Sequence, residues 1–90
     1  MGYFKFPLGR TVITNTAKAK IDPVDIPRAL HRHGSCDWGD VDEHDRKQND
    51  QALAQNGRLL SVYRDRNGVK FFVITEADRS ATTILLPEDY

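Results

Sequence analysis

The sequence predicts an α+β domain: one strand, two to three helices, then a three-stranded antiparallel meander, with the helices packed on one sheet face. Three observations carry that expectation. Apolar residues recur with helical spacing up to about residue 56 and with extended spacing beyond Gly57. Asn67-Gly68, set between two β-branched and aromatic runs, is the strongest short hairpin signal available. Residues 69–75 are apolar on both faces, as a central strand is. Ninety residues supply one domain, 1–90, with a single small core.

Residues 8–14 form the first strand, with Val12 and Ile13 as its apolar content. Pro7 cuts the alternating run Tyr3-Phe4-Lys5-Phe6 ahead of it, so residues 1–7 are expected to be a loose segment or an added edge. Thr14, Asn15 and Thr16 are helix starters, and Ala17-Lys18-Ala19-Lys20-Ile21 has good helix propensity over little more than one turn. After Asp22-Pro23, Asp25 caps a second helix with Pro27 in its first turn, where the missing N–H costs nothing. Ile26, Ala29, Leu30 and His33 fall at i, i+3, i+4 and i+7 on one buried face, and Gly34 supplies a left-handed exit.

A third helix spans residues 41–56, capped by Asp40, with acids in its first turn and Gly57 after its end. Its apolar residues are Val41, Ala52, Leu53 and Ala54, and the stripe through Ala52 and Leu53 continues through Asn49 and Asp45. Those two polar side chains sit at the core rim or are held there by partners. Strands over residues 58–65 and 69–75 follow. Pairing Arg66 with Val69 sets Arg64, Val62 and Leu60 opposite Phe71, Val73 and Thr75, with Tyr63 opposite Phe72 and Ser61 opposite Ile74. The polar crossing at residues 76–80 returns into a last strand, 81–86, stopped by Pro87.

The 39% hydrophobic and 29% charged content suits a folded soluble domain. Charge-free apolar runs such as residues 71–75 are far below the roughly 20 residues of a bilayer span, so a cytoplasmic protein with no membrane partner is the expectation. A single cysteine, Cys36, excludes an internal disulfide framework. The net charge is zero, but residues 34–57 carry six acids against two Lys/Arg. That distribution argues against a broad nucleic-acid footprint, which makes direct nucleic-acid binding a poor fit and a basic protein partner a better one.

Three places concentrate reactive groups. His31, His33, Cys36, Asp37 and His44 are metal-capable, but one His-x-His and one lone Cys do not make zinc-ligand spacing, and neither metal nor cofactor is expected. The loop Asp37-Trp38-Gly39-Asp40 and the helix start beyond it offer a binding set: Asp37, Asp40, Asp42, Glu43 and Asp45, with Trp38 as aromatic anchor. A Trp folded back over the sheet is the alternative for that ring. The crossing holds Glu76, Asp78, Arg79 and Ser80, an inventory for acid/base work or for holding a phosphate. A small nuclease or other phosphate-chemistry enzyme would combine His33 and Arg64 with Glu76, Asp78 and Arg79, although small antiparallel α+β folds warrant little about function by themselves. A homodimeric module built on the first strand or the Phe-rich sheet face is a third possibility.

The Asp37-Trp38-Gly39-Asp40 loop, Arg58-Leu59-Leu60-Ser61-Val62-Tyr63 and above all the run from Ile74-Thr75-Glu76-Ala77-Asp78-Arg79-Ser80-Ala81-Thr82 to Leu86-Pro87-Glu88-Asp89-Tyr90 resemble a family of small bacterial proteins encoded on plasmids and integrated elements. Cys36 departs from that pattern. The resemblance brings no catalytic residues. It implies mobile DNA as the context, and with the local acidity it gives the leading expectation: a non-enzymatic interaction protein that inhibits a host defence system, anti-CRISPR or anti-restriction, by binding a protein partner.

Overall fold

The structure, a computed structural model, describes residues 4–90. In chain order it comprises β1 (Arg10–Ile13), α1 (Asn15–Lys20), α2 (Asp25–Gly34), α3 (Glu43–Gln55), β2 (Leu59–Arg64), β3 (Lys70–Thr75), β4 (Ala81–Leu85) and a closing 3₁₀ turn (Pro87–Asp89). The α+β class holds, and β2, β3 and β4 form the expected antiparallel meander. The sheet as a whole is mixed. β1 pairs with β4 in parallel, giving the order β1-β4-β3-β2. The helices are part of the long crossover that parallel pairing requires.

The β2–β3 register differs by one residue from the expected one. Arg64 faces Lys70, Tyr63 faces Phe71 and Ser61 faces Val73. The turn is the cause: Asp65 N–H donates to Val69 O at 3.0 Å and Gly68 N–H to Asp65 O at 2.9 Å. Arg66-Asn67-Gly68 is therefore a three-residue connection in which Gly68 alone takes positive φ (85°). The buried Asp65 carboxylate fixes it, accepting from the amides of Asn67, Val69 and Asp22 at 2.9, 2.8 and 2.9 Å. A one-residue slip exchanges faces. Leu59, Ser61 and Tyr63 thus share the inner face with Phe71, Val73 and Thr75.

Ala17 of α1, Ile21 just after it and Ala29 of α2 pack on that face against Tyr63, Phe71, Val73, Ile84 and Leu86. A second cluster, Phe6, Trp38 and Leu59 with Leu8, Val41, Ala52 and Leu53 around it, brings in α3. Of the segment expected to be loose, residues 1–3 lie outside the described residues. The rest is tied down: Lys5 N–H donates to Gly34 O at 2.7 Å and Phe6 is buried.

Three helix boundaries differ from expectation. α3 starts at Glu43 because Asp42 is its cap, its carboxylate accepting Asp45 N–H at 2.8 Å. Asp40 does not serve; it lies in a bend two residues before the cap, its own N–H donating to Val62 O at 2.7 Å and Val41 N–H closing back on Gly39 O at 2.9 Å. Asp25 lies inside α2, where its carboxylate accepts from Arg66 N–H at 2.9 Å and from the guanidinium at 3.1 and 3.2 Å. Gly34 is the last helical residue, small because a Cβ there would meet the Phe4 ring, and the left-handed residue after α2 is Cys36 (φ 66°).

Candidate functional site

His33 sits beneath the sheet with no exposure. Its Nδ1 lies 2.6 Å from Ser61 Oγ and its Nε2 2.8 Å from Thr75 Oγ1. Thr75 Oγ1 is 2.7 Å from Thr82 Oγ1, and the Thr82 hydroxyl donates to the Leu8 carbonyl at 2.6 Å. This relay has one consistent direction. A carbonyl only accepts, so the Thr82 proton points at Leu8 and the Thr82 oxygen accepts from Thr75. Thr75 then accepts from His33 Nε2–H, and the bare Nδ1 accepts from Ser61. His33 is a neutral Nε2–H tautomer. Burial first, and the Arg79 charge second, push its pKa down to about 4.

Phe6 and Trp38 meet the imidazole edge-on at 5.4 and 5.7 Å. Ser61, Thr75 and Thr82 are as fully buried as His33. The relay is therefore sealed from solvent; it cross-links β2, β3, β4 and the segment leading into β1 with matched donors and acceptors. Thr75 and Thr82 are visible in the sequence as hydroxyls at the base of the crossing. Ser61 is not singled out there; a hydroxyl at an inward position of an apolar strand, facing a helix that carries a histidine, is the signal for it.

The Asp37-Trp38-Gly39-Asp40 loop attaches to the outer side of β2. Val62 N–H donates to Trp38 O at 3.0 Å, and Asp40 returns the bond to Val62 O. Gly39 (φ 75°) is required at this close approach, since any Cβ would run into Val62 O. Trp38 is 4% exposed, stacked on Phe6 at 6.2 Å with its indole N–H donating to Asp50 at 3.3 Å. An exposed anchor is thus ruled out: the second core cluster needs the ring. Two residues along β2, Asn49 of α3 donates to Leu60 O at 2.7 Å and accepts Leu60 N–H at 3.0 Å. The side-chain amide takes the place of a neighbouring strand, which explains a polar residue on the inward stripe of α3.

The acids of the expected binding set are displayed on this loop and helix start, Asp37, Asp40, Asp42 and Glu43 exposed and Asp45 half-buried. Arginines, one of them remote in sequence, meet three of them. Arg32 binds Asp37 at 2.8 and 3.2 Å and holds its carboxyl below the usual carboxylate range. Arg64 lies 3.5 Å from Asp40 and Arg46 3.3 Å from Glu43. Asp42 and Asp45 have no Lys or Arg partner among the described residues.

In the crossing, Arg79 adopts left-handed φ (62°) and is half-buried, its guanidinium turned onto backbone carbonyls. It donates to Gly57 O at 2.5 Å, Ala52 O at 3.2 Å and Glu76 O at 3.1 Å, closing the carboxyl end of α3. Asp78 accepts Ser80 N–H at 3.0 Å, and bonding to the Ser80 hydroxyl and amide holds its carboxyl below the usual range. Glu76 is exposed. The arginine and the aspartate of this turn thus have structural employment. Of His33, Arg64, Glu76, Asp78 and Arg79, a surface cleft of ≈ 220 Å³ lined by Asp25, Arg28, Arg32, Tyr63 and Arg64 contains Arg64 alone, and His33 is fully buried.

The metal-capable residues singled out in the sequence are dispersed, with His33 in the core, Asp37 engaged by Arg32 and Cys36 half-buried, its thiol pKa raised by burial. Asp42, His44 and Asp45 bring ligand atoms within 4.8 Å of one another on the solvent side, where Asp42 already serves as helix cap. No helix among the described residues is long and apolar enough to cross a membrane. Compared with protein-family models, curated proteins and solved structures, the chain matches none.

Proposed function

We propose that this chain is a non-enzymatic interaction protein of mobile genetic elements, an inhibitor of a host CRISPR or restriction system that works by docking on a basic surface of a protein partner. The observation that carries this reading is the acidic rim of Asp40, Asp42, Glu43 and Asp45, mounted on a loop that the buried Trp38 and the Val62 bridge hold rigid. Asp42 and Asp45 keep charge that no neighbouring guanidinium offsets, and rigid mounting lowers the ordering cost of binding. Trp38 supports the rim from below rather than touching the partner. The resemblance to plasmid-borne proteins supplies the context.

The test is protection. Expressed in bacteria carrying an active type I restriction or CRISPR system, the protein should raise transformation by a targeted plasmid at least tenfold. The combination Asp42→Asn, Glu43→Gln and Asp45→Asn, in which asparagine keeps the helix cap, should abolish that protection with an unchanged circular dichroism spectrum. Full protection by this variant, or none by the wild type, would overturn the reading.

A further inference from the structure

The two edges of the sheet are treated differently, and the open one points to a partner. In β1, Arg10 N–H donates to Ser80 O and Thr14 N–H to Ile84 O, both at 3.0 Å. Even-numbered residues of β1 therefore direct their backbone groups at β4, and the N–H and C=O of Thr11 and Ile13 point outward. Neither has a hydrogen-bond partner among the described residues. The strand is short and carries Arg10, but it has no proline, no bulge and no inward charge to keep a second strand away. Its side chains are exposed up to a half-buried Ile13, and Val12 is 39% exposed.

We propose that β1 is the interface of a homodimer, two copies pairing antiparallel about a twofold axis at Val12. This goes beyond the acidic-rim reading and does not depend on it. The register follows from which groups are free. Thr11 must form hydrogen-bonded pairs with Ile13 of the second copy, which makes Val12 face its own symmetry mate at a non-hydrogen-bonded position, where side chains are closest. Four backbone bonds close four unpaired residues, and the two meanders join into one eight-stranded sheet.

Charge selects a second copy. Arg10 is exposed and makes no ion pair among the described residues. The same register sets Arg10 opposite Thr14 of the second copy. The hydroxyl of Thr14 donates to Asp89 at 2.7 Å, and Thr16 donates to the same carboxylate. Each Arg10 thus approaches the other copy's Asp89, twice by symmetry, and the two arginines stay apart. A four-residue edge buries less than a standard stable interface, so the dimer is reversible and concentration-dependent.

Sedimentation equilibrium of the full chain should show a mass rising from 10.2 kDa toward twice that value as concentration increases from micromolar to millimolar. Val12→Lys sets two cations face to face across the axis, and Arg10→Glu opposes Asp89. Each should raise the dissociation constant at least tenfold with the melting temperature of the dilute protein unchanged. In a Cys36→Ser background, Val12→Cys should cross-link on mild oxidation, since its non-hydrogen-bonded partner lies within disulfide reach, whereas Thr11→Cys, which faces Ile13, should not. A wild type that stays monomeric throughout, or a dimer that survives Val12→Lys, overturns the assignment; the first result would leave the edge to a strand of another protein.

Discussion

The outer edges of β2 and β1 pose the same physical problem and receive opposite treatments. On β2, the backbone of Leu60 is closed by the Asn49 amide and that of Val62 by the Trp38-Gly39-Asp40 bridge. On β1, Thr11 and Ile13 are left open among the described residues. The closed edge is expensive in sequence terms. It takes a polar residue on a helix stripe, a glycine at positive φ and an arginine from another strand connection to seal the helix end. A fold that spends this much on one edge is protecting it from pairing, which gives the open edge its meaning.

The largest expected effects come from the buried relay that ties the two edges together, since Ser61 belongs to β2 and Leu8 leads into β1. His33 is neutral when folded, with a pKa of about 4 against 6.5 in an ordinary setting. The unfolded chain therefore takes up a proton first. This contribution is fully present above pH 6.5, falls as pH drops toward 4 and is constant below that. The full loss is about 3 kcal/mol. Urea unfolding at pH 7, 6, 5 and 4 measures it. His33→Gln, whose amide can donate toward Thr75 and accept from Ser61, should flatten that window. Asp25 and Asp37, held low by Arg66 and Arg32, are shifted in the same direction, but their contribution is lost only as pH falls below the ordinary carboxylate pKa of 3.8, so the windows separate.

Opening the closed edge comes next. Asn49→Ala leaves the Leu60 N–H and C=O unpaired beside α3, a cost of roughly 2–3 kcal/mol. Asn49→Asp can still accept the Leu60 N–H but cannot donate to its carbonyl, so it should fall between alanine and the wild type in denaturant midpoint. A midpoint for Asn49→Ala equal to the wild type would mean that water replaces the amide at no cost. Arg79→Lys keeps the charge but loses the fork that reaches Gly57 O and Ala52 O together. Its effect should be smaller, about 1 kcal/mol, and visible as faster amide exchange in the last turn of α3.

These residues also mark the limit of what could be read in the sequence. The fold class, the meander and the His33 face follow from periodicity, because burial of apolar side chains leaves a periodic trace. Register does not, because it depended on whether Asn67-Gly68 or Arg66-Asn67-Gly68 makes the turn, and the choice is set by Asp65 accepting two amides within the turn itself and a third from Asp22. The Asp25, Asp40 and Gly34 assignments miss for a related reason: each residue has a local preference, and a partner more than twenty residues away in sequence claims it. Asn49 on its stripe and the arginine of the crossing are both conspicuous in the sequence as anomalies. Only the structure shows that each answers a backbone group that would otherwise be unsatisfied.

The smallest expected effect sharpens the comparison most. Val12 and Val62 lie on the same outer face of the sheet, Val12 on the open edge strand and Val62, 8% exposed, on the closed one. Lysine at both positions is the same chemical change, so any difference reports the edges. Val62→Lys must bring a charge into a covered site and should cost about 2 kcal/mol. Val12→Lys loses little packing in the monomer and should stay within about 0.5 kcal/mol of the wild type in dilute solution. If Val12→Lys destabilised the dilute chain as much as Val62→Lys, then β1 would already be covered within one copy, and the edge would not be free to meet a second.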